Sequence, residues 1–181
     1  MLFDSTSQLD ELKRINQASS DVGGDLAISL YGTSGTPTHL SLSEEILRRE
    51  GGAGVALAPS GLAAITVALF AVLKAGDHIL ITDSAYGPLR NIAQRLLPKL
   101  GMEYEFYDPL IGGKISTLIR ANTRCIWVES PGSLTFEIQV NSMKNLSVAY
   151  AALTCMEQDI PAITSAAHKA NCNIAIVADN T

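Results

Sequence analysis

Short apolar runs alternate along this chain with longer amphipathic stretches from about residue 55 onward. The runs at 55–58 (Val-Ala-Leu-Ala), 78–82 (His-Ile-Leu-Ile-Thr), 103–107 (Glu-Tyr-Glu-Phe-Tyr), 124–129 (Arg-Cys-Ile-Trp-Val-Glu) and 173–178 read as strands. Between them, 62–74, 86–100, 115–119 and 162–171 read as helices, the first two closed by Gly76 and Gly101. Residues 1–40 are polar and irregular, with one short helix expected at 8–17, and a further helix at 43–50 stops at Gly51-Gly52. Strand and helix in alternation, with unbroken apolar strands, predict an α/β fold: a mostly parallel sheet with helices on both faces. Ligands in such folds bind beyond the carboxyl ends of the strands. Residues 58–62, 83–86, 129–133 and 179–181 are the segments that reach that edge.

Composition narrows the function classes. The chain has 181 residues, 47% hydrophobic and 17% charged, enough for a sizeable core. A net charge of −5 removes any electrostatic case for nucleic acid or an anionic membrane as partner. No apolar run is long enough to span a bilayer, and Met1-Leu2-Phe3-Asp4-Ser5 lacks the basic and apolar regions of a signal peptide. Cys125, Cys155 and Cys172 form no CxxC pair, so reduced thiols in a cytoplasmic protein are expected, packed as small hydrophobes. His39, His78 and His168 have no metal-ligand spacing, and His168 falls on a solvated helix face. Gly52-Ala53-Gly54 precedes a run instead of following one, with Leu57 where a dinucleotide fingerprint has its third glycine, and there is no GxSxG elbow.

Four segments carry candidate chemistry, each with a plainer alternative. Ser60-Gly61-Leu62 opens a helix, where free N–H groups and the positive dipole end form an anion seat; the alternative is a capping serine in a tight turn. Tyr86 follows a strand and could lay its ring on a flat heteroaromatic ligand, or stand half-buried with its hydroxyl in water. Asp179 could hold a pyridinium nitrogen protonated, or simply cap the adjoining turn of backbone. The run from Tyr31 to His39 is a loop of small and hydroxyl residues that could touch a phosphate or simply turn.

Taken in order, these segments resemble the Cys/Met-metabolism enzymes that depend on pyridoxal 5'-phosphate (PLP), and most closely their cystathionine-cleaving branch. The resemblance rests on Tyr31-Gly32 with Gly35-Thr36-Pro37-Thr38-His39, on Glu50-Gly51-Gly52-Ala53-Gly54 and on Gly76-Asp77-His78. It extends through Ala85-Tyr86-x-Pro88, Asp108-Pro109-Leu110-Ile111-Gly112, Glu129-Ser130-Pro131-Gly132-Ser133 and Asp179-Asn180-Thr181. It implies part of the large domain of a fold type I PLP enzyme over 41–181, preceded by an arm and loop at 1–40. By position, Gly61 and Leu62, with Ser60, would hold the cofactor phosphate, and Tyr86 would stack on the pyridine and assist proton transfer. Asp179 would pair with the pyridine nitrogen, and Tyr31 would reach the phosphate of a neighbouring subunit in a homo-oligomer, a tetramer in this family. The implied reaction is β-elimination from cystathionine to homocysteine, pyruvate and ammonia, a step of methionine biosynthesis. A cystathionine γ-synthase, a cysteine desulfhydrase, or a non-catalytic module that binds PLP, anions or partner subunits remain alternatives.

The sequence also departs from the pattern. Thr33 stands where the family has an arginine on the phosphate, and a hydroxyl does not replace a bidentate guanidinium. The family's cofactor-bonding lysine lies beyond the Asp-Asn-Thr segment, so Lys13, Lys74, Lys99, Lys114, Lys144 and Lys169 are all out of place, and little or no lyase activity is expected of these residues alone. Residues 140–158 have no family counterpart; they read either as a surface insertion with a short helix at 147–156, or as a translated intron, since Val140-Asn141 and Gln158 permit donor and acceptor codons. Poor solubility or oligomerisation is expected from uncovered apolar faces.

Overall fold

The computed structural model describes residues 36–133 and 159–179. They divide into two units, one reaching Pro59 and the other starting at Ser60. Described in the first unit is a single helix, α1 (Pro37–Glu50). Thr36 caps it: its hydroxyl accepts the His39 N–H at 3.5 Å, and His39 Nδ1 accepts the Thr36 N–H at 3.1 Å. This is a capping box with histidine in the place usually taken by Glu or Gln. Pro37 suits the first turn, where no N–H is needed. The helix therefore starts six residues before the expected position, inside the run that the sequence suggested was loop. It ends at Gly51, whose φ of 67° is left-handed. The expected strand at 55–58 is absent: that segment is irregular, and Leu57 is 41% exposed. Its apolar residues have no partner strand among the described residues, and an apolar run without a ladder gains nothing from being extended.

The second unit is built on four strands, β1 (His78–Thr82), β2 (Glu103–Tyr107), β3 (Thr123–Glu129) and β4 (Ala175–Asp179). All pair in parallel, in the order β2-β1-β3-β4. β1 is buried along its whole length and β3 at all but one residue, the burial expected when both faces are covered. Side-chain alternation sorts the core into two layers. Ile79, Ile81, Cys125 and Trp127 face one side, where α2 (Gly61–Val72) packs through Ile65 and Leu69, and α3 (Gly87–Arg95) through Leu89 and Ala93. Leu80, Ile126 and Val128 face the other, against α4 (Ile160–Ala170) through Ile163 and Ala167, and against a 3-10 turn, Gly112–Thr117, through Ile115. The parallel sheet with helices on both faces is thus observed. The expected helix at 86–100 is divided: α3 stops at Arg95 and a separate 3-10 turn runs over Pro98–Leu100. Pro98 has no N–H to continue the helical ladder. β4 extends one residue further than expected, so Asp179 enters the ladder opposite Glu129.

Candidate cofactor site

The tips of β3 and β4, the loop after β1 and the start of α2 enclose an open cavity of about 610 Å³. Its size is within the range of small-molecule sites. Ser60, Gly61 and Leu62 form one wall, Tyr86 another, and Asp179 a third. Five of the six residues singled out in the sequence are therefore gathered around one space. The sixth, Tyr31, lies outside the described residues, as do the helix expected at 8–17, Thr33 and the stretch 140–158.

Each wall has a local cause. Ser60 is the N-cap of α2; its hydroxyl accepts the Ala63 N–H at 3.2 Å, and its carbonyl accepts the first intrahelical bond, from Ala64, at 2.9 Å. The N–H groups of Gly61 and Leu62, in the first turn, have no carbonyl behind them in the helix. They carry the positive end of a twelve-residue dipole to the cavity wall. Serine capping and an anion seat, alternatives from sequence, are compatible in this geometry. Tyr86 is the N-cap of α3 and makes no side-chain cap; its ring is left at the mouth, 44% exposed. Asp83, in the same loop, is engaged elsewhere: Arg90 donates to its carbonyl at 2.6 Å and its carboxylate at 2.7 Å, and lies 4.1 Å over the Phe106 ring. Asp179 closes β4, and its carbonyl accepts the Ser130 N–H at 3.1 Å, tying the loop after β3 to the strand beside it.

Ile65, Glu129, Pro131, Gly132 and Ser133 also line the cavity and were not singled out as site residues from sequence; Glu129 is the charged one among them. Glu129 ends β3 and is 4% exposed, a carboxylate in the floor of the cavity. Its Oε2 accepts the Tyr86 N–H at 2.9 Å, and its Oε1 accepts the Ser133 hydroxyl at 2.8 Å. A charged residue at the end of an otherwise apolar strand was the available signal. An anion seat, an aromatic face and a carboxylate around one cavity suit a flat, phosphorylated heteroaromatic ring with a basic nitrogen. No lysine among the described residues lines this cavity, and no cluster of His, Cys, Asp or Glu among them could hold a metal ion. No described helix is long and apolar enough to cross a membrane.

Comparison with known proteins agrees with this geometry. A putative cystathionine beta-lyase of Rhizobium johnstonii is 44% identical over 151 residues, covering 83% of this chain and 33% of that protein. The cystathionine beta-lyase of Haemophilus influenzae is 38% identical over 181 residues, covering all of this chain and 39% of that protein. The chain thus spans between a third and two fifths of the length of these relatives. Among solved structures, metB from Corynebacterium glutamicum superimposes with a TM-score of 0.69 at 25% identity, over 89% of this chain and 35% of that one. The family described as "Cys/Met metabolism PLP-dependent enzyme" matches residues 11–152, and the chain belongs to that family.

Proposed function

We propose that this chain is the cofactor-holding part of a carbon–sulfur lyase that cleaves cystathionine by β-elimination, giving homocysteine, pyruvate and ammonia, in a cytoplasmic homo-oligomer. The reading is supported by the relatives named as cystathionine beta-lyases. The observation that carries it is the placing of the α2 N-terminus and Asp179 on the walls of a single cavity. The donor set fits PLP: two helix-start N–H groups and a hydroxyl suit a phosphate dianion, and a carboxylate suits a protonated ring nitrogen.

PLP, when bound, supplies an electron sink conjugated to the substrate's α-carbon. The chain's own residues hold and orient. Gly61 and Leu62 donate their N–H groups to phosphate oxygens, and the Ser60 hydroxyl, accepting from Ala63, keeps its own proton for a third. Tyr86 covers one face of the ring and brings a phenolic proton to the mouth. Asp179 would hold the proton at the pyridine nitrogen, and Tyr31, by the family resemblance, would reach the phosphate of a neighbouring subunit.

The test is fluorescence of Trp127, the only tryptophan, which lies in β3 and whose emission a bound pyridine ring should quench. Saturable quenching by PLP, lost in Asp179→Ala, is expected; absence of saturation overturns the reading.

A further inference from the structure

We infer that Glu129 is a positioning residue: its buried carboxylate holds the Tyr86 backbone, and so aims the Tyr86 ring over the ligand in the cavity. The inference rests on the reading of that cavity as the PLP site.

The argument starts from cost. A carboxylate taken out of water is expensive unless its lone pairs are filled. Glu129 is 4% exposed at the end of a strand whose other residues are almost all buried. An apolar residue there would continue the pattern of β3. The carboxylate instead spans two loops. One oxygen accepts from Tyr86 N–H in the loop after β1, and the other accepts from the Ser133 hydroxyl in the loop after β3. Ser133 N–H in turn donates to the Ser84 carbonyl at 3.0 Å, so the two loops are tied directly as well.

The bond to Tyr86 falls at a sensitive position. Tyr86 is the N-cap of α3, and its side chain makes no cap. In a capping box, a side chain three residues on accepts the N-cap N–H. Here that position is Leu89, buried in the core, and cannot do so. Glu129 performs the same task from 43 positions away. The carboxylate also lies at the positive end of the α3 dipole. With the N–H of Tyr86 fixed and α3 beginning at the next residue, the backbone from which the Tyr86 ring projects has little freedom. A loop residue 44% exposed would otherwise have much more.

A purely structural role for Glu129 would lower stability without any special relation to Tyr86. A double-mutant cycle on the 181-residue chain distinguishes the two. The probe is pyridoxine 5'-phosphate, which has the ring and phosphate of PLP but no aldehyde to react with surface lysines, and the readout is quenching of Trp127. Tyr86→Ala and Glu129→Ala are each expected to weaken binding about tenfold, the upper end of an aromatic stacking contribution. The double variant should bind no more weakly than Tyr86→Ala. Glu129→Gln should bind within about twofold of wild type, because its amide oxygen can accept from Tyr86 N–H while its NH2 donates to the Ser133 hydroxyl.

The inference is overturned if Glu129→Ala binds as wild type, if the two losses add, or if Glu129→Gln is as weak as Glu129→Ala. Should Glu129→Ala fail to fold, Ser133→Ala takes its place, since it removes one anchor of the carboxylate. Its expected weakening of about threefold should vanish in the Tyr86→Ala background, and an unchanged affinity or an additive loss overturns the inference. Wild-type chain that shows no quenching overturns the cofactor reading and this inference with it. Wild-type quenching with additive losses overturns this inference alone.

Discussion

Cys125 lies fully buried in β3, and burial pushes its thiol pKa up to about 12. Burial also pushes the Tyr107 phenol up. In the unfolded chain the Cys125 thiol loses its proton near the ordinary thiol value, while the folded chain keeps it. The unfolded state then binds fewer protons, so this group's contribution is complete below the ordinary value and is lost as pH rises toward 12. The expected loss is about 1.4 kcal/mol per pH unit. Urea unfolding at about pH 9 and again about one and a half units higher should show the midpoint falling, with a shallower fall in Cys125→Ala. His78 acts at the other end of the scale. Its ring is buried, Nδ1 lies 2.9 Å from Thr123 Oγ1, and desolvation followed by the charge of Arg120 lowers its pKa, against Glu105 and Glu103. A lowered folded value means stability present above the ordinary histidine range and lost as pH falls through it. Asp179 tests the site itself. Asp179→Asn removes the charge with little change of shape and should weaken pyridoxine 5'-phosphate binding at pH below the ring nitrogen's pKa by about thirtyfold, the equivalent of about 2 kcal/mol for a charge-assisted bond. An unchanged dissociation constant would exclude the proposed nitrogen contact. Asp179, Gly61 and Tyr86 could be found in the sequence because each stands at a junction of strand or helix with loop. Glu129 also ends a strand, and its charge after an apolar run marked it; what local sequence does not record is its use, a contact to a backbone N–H 43 positions away.

At the scale of elements, α2 carries the anion seat, and its start depends on Ser60. Ser60→Ala leaves the Ala63 N–H without its acceptor and should cost about 1 kcal/mol of stability, read by urea unfolding. Ser60→Gly should cost only a few tenths of a kcal/mol in stability. Both should weaken phosphate binding, because both remove the hydroxyl. A phosphate affinity unaffected by Ser60→Gly would show that the backbone alone makes the seat. The strands of the second unit were legible because each is a short run bounded by turn residues, unbroken and buried in the central β1 and β3, and β2 and β1 matched their expected bounds. The run at 55–58 is also apolar but has no partner strand among the described residues, and pairing is a property of the whole fold that composition cannot report. The early start of α1 was written in Thr36-Pro37, a capping residue followed by proline. The neighbouring small residues mask that signal, because they resemble a phosphate-touching loop. The division of the helix expected at 86–100 was signalled by Pro98, whose missing N–H outweighs the apolar periodicity around it.

For the second unit taken whole, α2 poses a problem that the described residues do not solve. Its sequence, Gly-Leu-Ala-Ala-Ile-Thr-Val-Ala-Leu-Phe-Ala-Val, is apolar almost all the way round, the pattern of a helix covered on every side. Only Ile65 and Leu69 are buried within it. Leu62 is 41% exposed, Phe70 42% and Val67 56%. Among the described residues β4 has a strand neighbour on one side only. Apolar helix surface of this extent favours association. The net charge of −5 opposes it weakly, since screening at physiological salt reduces repulsion beyond about 8 Å. The chain is therefore expected to self-associate at micromolar concentration, with a weight-average mass by light scattering well above its 19.2 kDa. Val67→Glu with Phe70→Glu should shift the population toward monomer without loss of far-ultraviolet circular dichroism, because both side chains point away from the packed face of α2. If the wild-type chain remains a stable monomer, the exposed face of α2 is not the source of association, and apolar surface outside this helix must be small enough for water to tolerate.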